Sequence, residues 1–249
     1  MLELFLRCIA AKDRYVHVEQ GGGDYCIEID GNELYILFEG SDGAEDWASN
    51  FDFLPSKRTP TRRLVTAVKN SFQLASAPYK NMPVKWRAHR GFLKVWRGMR
   101  DEIEAAVEKL LYESSNVDRI IVVGYSHGGA MALLAYEDMK YIYGDRYNIF
   151  GFGFAAPRVI FGRIPPEVRD RIEGFITVRN VNDIVTHVPP RFLGYKNSGE
   201  ILQIGRRHIY TPIGAHYAFA YVEELKKWEE QKRIDPHVSV WQLDRKKAR

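Results

Sequence analysis

Ser126 stands in the string Gly124-Tyr125-Ser126-His127-Gly128, and the chemistry open to it is nucleophilic attack. A serine hydroxyl is a poor nucleophile at neutral pH. It becomes a good one when an imidazole takes its proton and a carboxylate orients that imidazole. The run Ile120-Ile121-Val122-Val123 leads directly into the string, and Gly128-Gly129-Ala130 leads out of it. An apolar strand entering and a helix leaving is the setting of a nucleophile elbow, a sharp turn that lifts the hydroxyl above the sheet edge. Gly124 and Gly128 are expected where a side chain would collide with the neighbouring strand or helix. The serine also sits at a helix N-terminus, where amides and the helix dipole favour developing negative charge. The simpler alternative is a strand–turn–helix with Ser126 as plain N-cap, but an N-cap does not call for three glycines in six residues.

In a strand–elbow–helix frame the acid and then the histidine follow the nucleophile. The histidines after Ser126 are His127, His187, His208, His216 and His237. His127 lies across a sharp turn from the serine and cannot swing back to it; its backbone amide is the better candidate, as an oxyanion donor. His187 precedes Pro189-Pro190 and reads as a loop or pocket residue. His208 follows Arg206-Arg207 in a basic, solvated patch, and His237 lies beyond the last helix. His216, after Gly214-Ala215 at the start of that helix, is the expected base, because it is loop-presented yet backed by packed structure. For the acid, Asp183 follows the strand Phe175–Val178, which is where a sheet of this kind presents an orienting carboxylate; an Asx-type turn is the alternative. Asp170 and Glu173 lie nearer a helix end and are weaker candidates.

The elements that must hold these residues are legible as periodicities. Tyr25–Ile29 and Leu34–Phe38 read as a hairpin about Asp30-Gly31-Asn32. Thr61–Ala75 has helical spacing, and Gly91–Tyr112 reads as a long helix. Arg119–Val123 has the continuous β-branched character of a buried parallel strand. Helix His127–Tyr143, strands Ile149–Phe154, Phe175–Val178 and Glu200–Ile204, and an amphipathic helix Ala215–Glu229 complete the series. Strand and helix alternate from about residue 90, which points to an α/β fold with a mainly parallel sheet flanked by helices.

Composition narrows the function classes. With 249 residues, 45% of them hydrophobic, the chain can bury one large core, and a single domain is expected. Net charge is 36 − 32 = +4, much of it in a flexible tail at residues 244–249. A nucleic-acid partner would require a denser basic face; weak attraction to an anionic lipid surface is compatible with the charge. Two cysteines, Cys8 and Cys26, cannot form a disulfide framework and offer no metal-ligand spacing, so no metal is expected. Two free thiols in a reducing compartment are the simplest reading. Glu3 and Arg7 interrupt the opening apolar run too early for a signal sequence, and there is no apolar run of membrane-spanning length, so a cytoplasmic protein is expected.

Taken in order, these segments resemble the class 3 lipases, the fungal-type triacylglycerol lipase family. The resemblance is carried by Ile36–Ser41, Asp46-Trp47, Asn50–Phe53, His89-Arg90-Gly91-Phe92, the elbow, Ala156–Val159, Asn180–Asp183, Val188-Pro189-Pro190 and His216-Tyr217. It implies the α/β-hydrolase fold and cofactor-free cleavage of carboxylic esters, with lipid or small-molecule esters as substrates and a lipid interface as a transient partner. It implies Ser126, Asp183 and His216 as catalytic triad, with amides of Ser41 and His127 as oxyanion hole. Residues 42–50 would be the lid and Trp47 a lid aromatic. Glu39 stands where the family usually has arginine, His127 where it usually has leucine, and Ile160 where it usually has glycine. Residues 54–88 form an insert longer than the family minimum, a candidate cap for the acyl pocket. Phospholipase or acyltransferase chemistry would use the same machinery, and a catalytically silent lipid- or membrane-binding module could share the fold.

Overall fold

A computed structural model of the chain describes residues 1–19, 22–40, 75–77, 86–197, 199–206 and 213–234. Strands run over Val16–Val18 (β1), Gly23–Asp30 (β2), Glu33–Phe38 (β3), Ala75–Ala77 (β4), Trp86–Ala88 (β5), Arg119–Tyr125 (β6), Asn148–Phe154 (β7), Ile160–Phe161 (β8), Phe175–Asn180 (β9), Tyr195–Lys196 (β10) and Glu200–Ile204 (β11). Helices run over Leu2–Ala10 (α1), Arg90–Glu113 (α2), His127–Tyr143 (α3), Pro166–Glu173 (α4) and Ala218–Ile234 (α5).

Among the described residues the main sheet has seven strands in the order β1-β2-β3-β6-β7-β9-β11. β3, β6, β7, β9 and β11 are parallel, and β1 and β2 add an antiparallel edge. This is the architecture of an α/β-hydrolase. The period of two along each strand divides the core into two layers. Leu34, Ile36 and Phe38 of β3 join α2, α3 and α4 on one face. Tyr35 and Leu37 of the same strand join α1 and α5 on the other. Each fully buried aliphatic or aromatic side chain contributes about 1.5–3 kcal/mol, so both faces must be covered.

The parallel strands follow the expected spans closely. The hairpin turn is tighter than expected: Asp30 pairs with Glu33, leaving Gly31 and Asn32 as the turn, with Gly31 at φ 61°. A left-handed first turn residue matches the twist of the two strands. The closing helix is also revised. Gly214–His216 forms a separate 3-10 turn, and α5 begins at Ala218. Helix α1 was not foreseen; it buries Leu4, Phe5 and Cys8 against the sheet. Cys8 and Cys26 are both buried and unbridged.

Part of the 54–88 insert contributes to a small second sheet, ordered β10-β8-β5-β4. Ala75, expected at the end of a helix, instead opens β4. Residues 61–74 and the tail at 244–249 lie outside the described residues. No described helix is long and apolar enough to cross a membrane.

Candidate active site

Ser126 occupies the turn between β6 and α3 with φ 54° and ψ −118°. A positive φ is strained for a residue with a side chain, by roughly 1–3 kcal/mol, so the surroundings must impose it. Ser126 N donates to Phe154 O at 2.8 Å, and Ser126 O accepts from Gly129 N at 3.0 Å. The flanking glycines are required sterically. A Cβ on Gly124 would lie 2.0 Å from Gly128 O, and one on Gly128 would lie 2.3 Å from Phe38 O. Those two contacts let α3 start directly against the ends of β6 and β3.

The three side chains picked out in the sequence converge at this turn. Ser126 Oγ lies 2.8 Å from His216 Nε2. His216 Nδ1 lies 2.9 Å from Asp183 Oδ2. Exposure is 3% for Ser126, 3% for His216 and 0% for Asp183. The carboxylate is held from both oxygens: Val185 N donates to Oδ1 at 2.9 Å and Tyr221 Oη donates to Oδ2 at 2.7 Å. With the carboxylate ionised, Nδ1 carries the imidazole proton and Nε2 is left to accept from the serine hydroxyl. Such a chain can move a proton off Oγ as the oxygen attacks an electrophilic carbon.

Two tyrosines that sequence reasoning missed complete the frame. Tyr221 is fully buried and also accepts from Asn180 N at 3.0 Å, so it joins the end of β9 to the carboxylate. Tyr125 Oη donates to the His216 carbonyl at 2.5 Å, and its ring stacks on the imidazole at 5.7 Å between centroids. A polar tip on a buried aromatic needs a partner. That rule flags Tyr221, on the apolar face of the last helix, as a residue to inspect, but not which atom it reaches.

His127 opens α3, and its imidazole turns away from the serine toward α2. Its ring lies 5.7 Å from Phe92, which lies 4.7 Å from His89. Burial lowers both imidazoles to about 4, and in His127 a repulsion from His89 adds to this while Asp24 opposes it. The His127 side chain is therefore neutral at pH 7, and its backbone amide lies in the first turn of the helix. His187 is exposed on a 3-10 turn, where its carbonyl accepts from the Arg158 guanidinium. Ser41, Trp47, His208 and His237 lie outside the described residues. Among the described residues no group of His, Cys, Asp and Glu is arranged to hold a metal ion.

Comparison with known proteins follows the same lines. The family model "Lipase (class 3)" matches residues 35–193. The secreted mono- and diacylglycerol lipase LIP1 of Malassezia globosa is 34% identical over 116 residues, covering 46% of this chain and 37% of that protein. The lipase of Rhizomucor miehei is 26% identical over 169 residues, covering 67% of this chain and 40% of that protein. This chain thus spans less than half the length of either relative. Among solved structures, the Rhizomucor miehei triacylglyceride lipase superposes with TM-score 0.58 at 18% identity, covering 82% of this chain and 76% of that one. The lipase of Rhizopus microsporus var. chinensis gives TM-score 0.58 at 20% identity, covering 83% and 71%. Both carry the same fold.

Proposed function

The chain belongs to the class 3 lipase family, and we propose that it is a serine hydrolase cleaving carboxylic esters of lipids through an acyl-enzyme on Ser126. The observation that carries this reading is the unbroken relay Ser126 Oγ–His216 Nε2 at 2.8 Å and His216 Nδ1–Asp183 Oδ2 at 2.9 Å. His216 takes the hydroxyl proton as Oγ bonds to the ester carbonyl carbon. Asp183 holds the imidazole in the productive tautomer and stabilises it once charged. The negative charge on the former carbonyl oxygen falls to the His127 amide and, by family resemblance, the Ser41 amide, each worth about 3 kcal/mol. His216 then returns its proton to the departing alcohol. Water, activated by the same imidazole, releases the acid.

Lipid esters are the favoured substrates because the relatives with which this chain aligns are described as mono-, di- and triacylglycerol lipases. A single catalytic domain fits the seven-stranded main sheet, and the mild net charge fits a partner other than nucleic acid. Trp47 as a lid aromatic and residues 54–88 as a cap belong to the same proposal. The two buried, unbridged thiols favour a reducing, cytoplasmic setting, although the Malassezia relative is described as secreted.

A fluorophosphonate probe and a p-nitrophenyl ester series, run with and without a lipid interface, test the proposal. Wild type should label and turn over, and Ser126→Ala should do neither while melting like wild type. Ester turnover retained by Ser126→Ala would overturn it.

A further inference from the structure

Beside the Asp183 loop lies a group of basic side chains that makes no ion pair among the described residues. Arg158, in the turn after β7, and Arg179, on β9, are each 6% exposed. Arg158 donates to three neutral acceptors: Asn197 Oδ1 at 2.8 Å, Pro189 O at 3.0 Å and the carbonyl of His187. Those bonds seat its guanidinium beneath the loop of residues 187–189. Arg179 Nε is buried with no hydrogen-bond partner among the described residues. Arg191 and His187 stand exposed on the two 3-10 turns of the same loop. None of the three arginines makes an ion pair among the described residues. The carboxylate within electrostatic reach of Arg179 is Asp183, whose oxygens are already taken by Val185, His216 and Tyr221.

Arg191 lies close enough to disfavour charge on Arg158, Arg179 and His187. Burial and then Arg179 and Arg191 pull Arg158 down to about 10, and burial leads the lowering at Arg179 and His187. An arginine cannot escape by losing its proton at physiological pH. A buried, uncompensated guanidinium is costly, and a protein removes that cost by supplying an anion. Arginine forks match the paired oxygens of a phosphate. One exposed apolar side chain adjoins the group: Phe192, directly after Arg191, is 85% exposed.

We propose that Arg158, Arg179 and Arg191, with His187 at the mouth, form a binding site for a phosphate group, entered past Arg191. The phosphate is either inorganic or the headgroup of a phospholipid whose chain lies on Phe192. The site is separate from Ser126 and does not depend on the hydrolytic reading, since occupancy is read from stability and not from turnover.

The test is thermal denaturation of the full chain with inorganic phosphate, against chloride at matched ionic strength. Ligand that binds only the folded state raises the melting temperature in a saturable way. Wild type should show such a rise. Arg179→Met and Arg191→Glu should each weaken phosphate binding about tenfold or more. Should Arg179→Met fail to fold, the exposed Arg191→Glu carries the comparison. A second arm uses monomeric dihexanoyl phosphatidic acid. A larger rise than with inorganic phosphate, lost in Phe192→Ser, assigns the site to a lipid headgroup; an equal or smaller rise assigns it to free phosphate. No rise beyond chloride with either probe, or a rise undiminished in Arg191→Glu, overturns the proposal.

Discussion

Tyr221 Oη and His216 Nδ1 donate to the same atom, Asp183 Oδ2, at 2.7 and 2.9 Å. The tyrosine therefore fixes the carboxylate that fixes the imidazole, without itself reaching the nucleophile. Tyr221→Phe should lower kcat about 10- to 100-fold through misplacement of the imidazole, with KM little changed. It also leaves Asn180 N–H unsatisfied in the interior, at a stability cost of about 1–3 kcal/mol. Steady-state kinetics and urea unfolding measure the two effects separately.

Gly128 makes a sharper steric prediction. Its absent Cβ would sit 2.3 Å from Phe38 O and 2.5 Å from Glu39 O, both backbone atoms that no rotamer change can move. Gly128→Ala should cost upwards of 3 kcal/mol and collapse turnover by displacing the start of α3. A variant with wild-type urea midpoint would show that the elbow has slack.

His89 and His127 give the fold an acid limit. Both sit near 4 because burial disfavours the cation, against 6.5 for a free imidazole. The unfolded chain takes up these protons as pH falls below 6.5, whereas the folded chain resists until about 4. Their contribution to stability is therefore complete above pH 6.5 and is lost as pH falls through 4, on the order of a few kcal/mol. His127→Leu should flatten the decline in urea midpoint between pH 7 and pH 4.5, wherever its neutral-pH stability settles.

An alkaline limit comes from the opposite shift. Asp138 is fully buried on α3, and Arg100 Nε on α2 donates to its Oδ2 at 2.7 Å. Arg100 is shared with Glu104, so one guanidinium faces two carboxylates. Burial raises Asp138 to about 8, with Arg100 opposing and Glu104 adding. A carboxyl raised above its unfolded value favours the fold at low pH and withdraws that support as pH rises through 8. Asp138→Asn should remove this loss, so that its melting temperature varies less between pH 7 and 9 than that of wild type.

The sequence made the frame readable where period and burial agree. Helix His127–Tyr143 and strand Glu200–Ile204 match residue for residue, because the elbow and Gly144 bound the first and Gly199 and Gly205 bound the second. Ser126, Asp183 and His216 were picked out through motif and chain order, and the sheet brings the three side chains together. What escaped depends on contacts between distant segments. Helix α1 carries Glu3 on its outer side and turns Arg7 toward Glu28 and Asp30 of β2, and these two charges masked the Leu4, Phe5 and Cys8 stripe. The strands Ile160–Phe161 and Tyr195–Lys196 are too short to show any period. Tyr125 and Tyr221 look like core aromatics until their hydroxyls are traced to His216 and Asp183.

Because β3, β6, β7, β9 and β11 all point the same way, Ser126 and Asp183 follow strand ends on one rim, and His216 lies beyond the end of β11. The other rim is sewn together without them: Asn116 Nδ2 donates to Gly31 O at 2.8 Å, Asp118 N to Asn32 O at 3.0 Å, and Asn148 N to Asp118 O at 3.1 Å. A tether or fusion partner grafted at Gly31-Asn32 would therefore orient every immobilised molecule with its Ser126 rim toward the medium.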